Sequence, residues 1–245
     1  MRAMARTWTA ADLYTAVFPA TPWLARGLLA GQGYTLITAL PKTGKTILAL
    51  QLAHALAIGI PFLRARIDHP YRVAFVGADA PMEEYQIQTT AIWGSGHDAL
   101  CFIRPEDPIC TKRLTPEAQD THAKIAAHQP DVVMFDALES LVMLDFNTHE
   151  GAQLMLRQFY WLAGHKPFLL VHHPRKPAPG IKEDMRAAQA GHHFLSAQAS
   201  VLLSLEGIGP DKGRLDVLPR RGRAAHWPLR RREMTADVAV WEIDG

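Results

Sequence analysis

Apolar residues in this chain fall in short runs separated by glycine, proline or charge. Residues 34–38, 72–77, 99–103, 131–136 and 166–171 read as strands. Within 131–136 four apolar residues follow one another without alternation, the pattern of a strand buried on both faces, as in a parallel sheet. Residues 238–243 do alternate, as a terminal edge strand would. Between these runs the spacing turns helical. Good helix formers fill 47–57 and stop at Gly59-Ile60-Pro61, and a helix with acidic residues in its first turn begins at Met82. Thr115 is placed to cap a helix from Pro116 to about His128, and 151–163 carries the stripe Leu154, Leu156, Phe159, Tyr160, Leu162. Thr9 with Asp12 opens a short capped helix, which Phe18-Pro19 ends. Residues 198–205 and 214–218 look like strands around a turn at Gly207-Ile208-Gly209-Pro210. Strands alternating with helices predict an α/β domain.

The strand at 34–38 runs into Ala39-Leu40-Pro41-Lys42-Thr43-Gly44-Lys45-Thr46, and Ile47 opens the helix. Strand, tight loop, Gly-Lys-Thr and helix make a phosphate-binding loop, in which backbone N–H groups and the positive end of the helix dipole face a polyanion. Ala39 stands where the first glycine usually does, a position that needs no strongly positive φ. Lys45 is placed for the β- and γ-phosphates, and the Thr46 hydroxyl for Mg²⁺. Gly44 lets the backbone approach closely. The expected ligand is therefore a nucleoside triphosphate with Mg²⁺, held by Ala39, Pro41, Lys42, Thr43, Gly44, Lys45, Thr46 and Ile47. Asp136 closes a buried strand at the carboxyl edge, where ligands of such sheets bind, and is placed to share the metal with Thr46.

Composition narrows the class. At 245 residues, with 48% hydrophobic and 20% charged residues, the chain can bury a full core and is not globally disordered. The net charge of +2 is nearly balanced, but seven arginines crowd the stretch 214–232. Such clustering faces phosphates or simply lies in solvent. Two cysteines, Cys101 and Cys110, suggest neither a disulfide framework nor a zinc site. The first residues lack the apolar core of a signal peptide, and no run approaches the roughly 18 apolar residues of a membrane span. A cytoplasmic protein with no membrane partner is expected.

Two further features carry chemistry. The strand at 166–171 ends at His172-His173, and the loop after it holds Arg175, Lys176, Lys182 and Arg186, suited to phosphodiester contact. A metal site on the pairs His172/His173 and His192/His193 is disfavoured, because adjacent residues of an extended strand point to opposite faces.

The order Trp23-Leu24, Gly27-Leu28, the phosphate loop, Val73 to Asp79, Val132 to Asp136 and Leu169-Leu170-Val171-His172-His173-Pro174-Arg175-Lys176 resembles the RecA-like ATPases of the plasmid-replication hexameric helicase (RepA-like) type, over about residues 20–205. The resemblance implies a RecA-like P-loop NTPase, α/β with a mostly parallel central sheet flanked by helices and with antiparallel C-terminal strands. It would be one domain over 1–245, with 1–30 as a strap and 206–245 as C-terminal strands carrying the basic segment. It also implies ATP as the nucleotide, and a homo-oligomer, a hexameric ring, moving on single-stranded DNA with a replication or recombination protein as partner. Asp79 matches the acid that polarises the attacking water, usually glutamate in that family; Glu83 and Glu84 are alternatives, and so is a capping role. His172 and His173 match the polar sensor at the end of its fourth strand. Arg220-Arg221 matches the place of an arginine finger that enters the neighbouring subunit's site. Gly191-His192-His193-Phe194 and Ala199 depart from the pattern. The leading reading is a motor ATPase. A slow regulatory ATPase switch is the alternative, and a P-loop phosphotransferase ranks last.

Overall fold

A computed structural model describes residues 8–16, 22–94, 96–173 and 193–244. The core is a nine-stranded sheet. Its parallel part comprises β3 (Tyr34–Thr38), β4 (Val73–Gly77), β5 (Leu100–Ile103), β6 (Val132–Asp136), β7 (Phe168–His172) and the first half of β8 (Val201–Gly207). Every residue of β3, β4, β6 and β7 is buried, as the unalternating apolar runs predict for strands covered on both faces. Thr38 lies opposite His172, and Gly77 opposite Asp136. The phosphate loop, Asp79, Asp136 and the histidine pair therefore emerge along one carboxyl edge, where open α/β sheets bind ligands.

Helices cover both faces. On one side lies α2 (Lys45–Ile58), apolar nearly all round and correspondingly buried. Gly59 in the left-handed region ends it. Beside it runs α3 (Met82–Trp93). The opposite face carries α4 (Pro116–His128), capped by the Thr115 side chain on Ala118 N–H, and α6 (His149–Leu162), whose Ala152, Met155, Leu156, Phe159 and Leu162 point inward. The short α5 (Leu138–Leu141) follows β6 directly. At the N-terminus the Thr9–Asp12 capping box opens α1 (Ala10–Thr15). The two-stranded pair β1 (Trp23–Ala25) and β2 (Leu29–Ala30) packs Ala25, Leu28 and Leu29 into the same cluster as α2.

The antiparallel C-terminal strands extend the sheet in the order β8, β9 (Lys212–Pro219), β10 (Ala225–Glu233) and β11 (Ala239–Ile243), with β11 at the edge. One expectation needs correction here. The strand expected from residue 198 begins at Val201, because His193–Gln198 form a last helix, α7, whose Leu195 carbonyl accepts from the buried Tyr34 hydroxyl. The basic segment does lie in the C-terminal strands, with residues 225–233 forming β10. Trp227 and Leu229 are buried on one face, and Arg230 and Arg232 on the other pair with Glu242. Charge in this run hides a period of two. Among the described residues no helix is long and apolar enough to cross a membrane.

Candidate functional site

Residues 39–46 form the loop that the sequence predicts, and its geometry can be built residue by residue. Thr43 closes a turn, its hydroxyl donating to Leu40 O at 2.6 Å. Lys42 (φ 64°) and Gly44 (φ 93°) both adopt the left-handed region, whereas Ala39 does not. Alanine in place of the first glycine is thus free of strain. A Cβ on Gly44 would stand 2.9 Å from the indole nitrogen of Trp241, so the position has no room for a side chain.

Lys45 is buried, and its Nζ donates to the carbonyls of Ala39 and Leu40 at 2.8 and 2.9 Å. Burial lowers its pKa to about 8, against the pull of Glu139, Asp136 and Asp79. The ammonium is therefore still charged at neutral pH. The Thr46 hydroxyl lies 3.3 Å from Asp136 Oδ1, and Tyr85 donates its phenol to Oδ2 at 3.0 Å. Asp136 has no exposed surface; burial first, then the Asp79 charge, pushes it up to about 6. A carboxylate kept at such cost beside a threonine hydroxyl suits a hard cation.

Asp79 is held at both oxygens. Ser140 donates to Oδ1 at 3.2 Å, and His173 Nε2 stands 3.6 Å from Oδ2. The His173 imidazole beside it is the main cause that keeps Asp79 below the usual carboxylate range, with further help from Ser140 and Lys45. Glu139, on α5, accepts from the His173 N–H at 2.9 Å and bonds Nδ1 of the buried His172. Burial alone would raise the Glu139 pKa, but the His172 contact outweighs it and the net shift is downward. A cleft of about 400 Å³ joins the phosphate loop, Asp79, Glu84, His173, Arg231 and Trp241.

Thus Lys45, Thr46, Asp79 and His173 line one cleft, with the wholly buried Asp136 against Thr46 and His172 bonded to Glu139 behind. Arg220 and Arg221 do not. They are exposed in a hollow beside Trp23, Gly33 and Ser200, at the end of β3 opposite the phosphate loop. Arg175, Lys176, Lys182, Arg186 and His192 lie outside the described residues. Among the described residues no group of three or more His, Cys, Asp or Glu could hold a metal ion by itself.

The AAA_25 family model, described as an AAA domain, matches residues 1–179. The chain belongs to the AAA_25 family of RecA-like P-loop ATPases. The crystal structure of the flagellar accessory protein FlaH from Methanocaldococcus jannaschii superposes with a TM-score of 0.52 at 17% identity, over 90% of this chain and 91% of that one. The likeness is one of fold. No curated protein matches the sequence.

Four residues of this AAA_25 site escaped the sequence reading. Tyr85 and Glu139 are positioned by the helices after β4 and β6, and Arg231 and Trp241 arrive from the C-terminal strands. The signal for Arg231 was present: it continues the alternation of Trp227 and Leu229. Gly77 is also part of the site's support, since a Cβ there would meet the Tyr85 ring at 2.7 Å. Gly77→Ala is expected to destabilise the fold by about 1–3 kcal/mol through overpacking. It should also turn Tyr85 away from Asp136. Thermal unfolding checks the first effect, and tyrosine ultraviolet difference spectra the second.

Proposed function

We propose that this AAA_25 protein binds magnesium ATP on residues 39–47 and hydrolyses it, as a ring-forming motor on single-stranded DNA in the cytoplasm. The nucleotide part rests on one observation, the contact between the Thr46 hydroxyl and the buried Asp136 carboxylate beside an inward-facing Lys45. Those two oxygens would hold the metal, which supplies electrostatic stabilisation of charge on the phosphates. Lys45 would exchange its two carbonyl acceptors for phosphate oxygens, a stronger charge-assisted pairing. Asp79, ionised and fixed by Ser140 and His173, is the acceptor for a proton from the attacking water.

The motor part is supported by the position of Arg220 and Arg221. Each is exposed and, among the described residues, neither forms an ion pair; both lie far from their own loop. Their charge can serve a triphosphate only in a neighbouring copy, as ring assembly would allow. Single-stranded DNA should then raise ATP turnover several-fold, with an effect that weakens steeply as salt rises. Elution should shift to a larger species with nucleotide. A rate indifferent to DNA and a size indifferent to nucleotide would remove the motor while leaving the ATPase.

The hold on Asp79 favours a second reading, a slow switch controlling assembly with a protein partner. Aspartate is one methylene shorter than the glutamate usual there, and misplacement of about an ångström can cost about 10²-fold. Asp79→Glu is therefore expected to raise turnover about tenfold in a steady-state phosphate-release assay. An equal or lower rate would take the role of proton acceptor away from Asp79.

A further inference from the structure

The C-terminal arginines divide sharply by partner. Arg214 pairs with Glu206 at 2.7 Å and Asp216 at 3.1 Å, and Arg230 and Arg232 share Glu242 at 2.8 and 3.0 Å. Arg231 is different. Alternation along β10 turns it to the opposite face, where it donates to Thr43 O at 3.0 Å and Lys42 O at 3.3 Å. Its guanidinium lies 4.8 Å from the centroid of the Trp241 ring. Among the described residues no carboxylate pairs with it.

The support beneath this side chain is rigid. Trp241 is buried against Gly44, and its backbone exchanges two 2.9 Å hydrogen bonds with the side chain of Gln51 on α2. The β10–β11 hairpin is thereby fixed on the helix that begins at the phosphate loop. A guanidinium has five donors and a fixed charge, and neutral carbonyls leave that charge uncompensated. Stacking on an indole adds attraction but no countercharge. The nearest feature built to take an anion is the loop itself.

We propose that Arg231 is a same-chain arginine for the bound nucleotide, contacting the terminal phosphate of a nucleoside triphosphate on its own loop. This rests on the reading that residues 39–47 bind that ligand. It gives each chain a positive charge of its own at the phosphates, beside any that Arg220 or Arg221 of a neighbour brings; an arginine in that place is worth about 10³–10⁵ in turnover in other phosphate-transfer enzymes.

The test compares binding of fluorescent Mg-ATP and Mg-ADP to wild type, R231Q and R231K. R231Q should lose about tenfold in its preference for the triphosphate while still binding the diphosphate, and that retained binding also reports a folded site. R231K, which keeps the charge, should recover most of the preference. A purely structural guanidinium would leave R231K as defective as R231Q, or the ATP-to-ADP ratio unchanged in both, and either result overturns the proposal. A second arm measures turnover, where R231Q should fall about 10²-fold. Mixing R231Q with K45A should restore nothing, because neither chain then has both loop lysine and arginine. Restored turnover on mixing would place Arg231 in a neighbour's site and overturn the same-chain assignment. Failure of wild type to bind either nucleotide would defeat the underlying reading too, and it would show before any variant is compared.

Discussion

Lys45→Met is expected to abolish measurable nucleotide binding while leaving the folded protein at least as stable as wild type. The two outcomes have separate causes. Lys45 is almost wholly buried, and desolvation drags its pKa down to about 8, so the fold bears a cost for holding a charge there. Methionine keeps the unbranched stem and removes that cost, although the Ala39 and Leu40 carbonyls lose a donor. Binding has no such compensation. Hydrogen bonds to charged groups contribute about 1.5–3 kcal/mol each, so two lost phosphate contacts weaken affinity by about 10²–10⁴-fold. Calorimetric titration with magnesium ATP, beside thermal unfolding without it, measures both. Retained affinity would move the phosphates off this loop.

Asp136→Asn should separate stability from activity in the same way. The Asp136 pKa in the fold is pushed up to about 6 from 3.8, so the folded state holds the proton more tightly than the unfolded chain. Its contribution to stability is then fully present below about pH 4 and is lost as pH rises through about 6, by an amount on the order of 3 kcal/mol. Asparagine is neutral at every pH, so the variant should unfold at a higher temperature than wild type at pH 7 and lose that advantage near pH 4. Turnover should fall about 10³-fold, as befits the loss of several kcal/mol of metal-borne stabilisation. In the wild type, the affinity for magnesium should weaken, and the concentration required should rise, as pH falls through about 6, because the cation must then displace a proton from Asp136. A pH-independent magnesium requirement would show that some other group holds the ion.

Much of this was readable from the chain because it rests on local rules. Buried parallel strands are apolar throughout, caps and stop signals mark the helices, and the phosphate loop carries its own chemistry over eight consecutive residues. Asp136 was legible for the same reason, since the end of β6 fixes its place on the sheet edge, whereas Asp79 was singled out only by the family resemblance. What escaped was non-local. Nothing in Leu138-Glu139-Ser140 tells that Glu139 will receive His172 and the His173 backbone from a strand more than thirty residues later. Arg231 sits in a run whose charges read as solvated surface, and only the pairing of Arg230 and Arg232 with Glu242 shows which arginine the strand turns inward. The strand boundary at 198–201 failed because a helical turn, fixed by Tyr34, took residues whose composition suits either state.

The bond from Arg231 to the Thr43 carbonyl spans 188 positions of the chain. In a polypeptide leaving the ribosome from its amino end, the loop sequence thus emerges long before the strand that lies against it. The wall of the cleft that Arg231 and Trp241 form is consequently completed only when the β10–β11 hairpin docks, through contacts of high sequence separation.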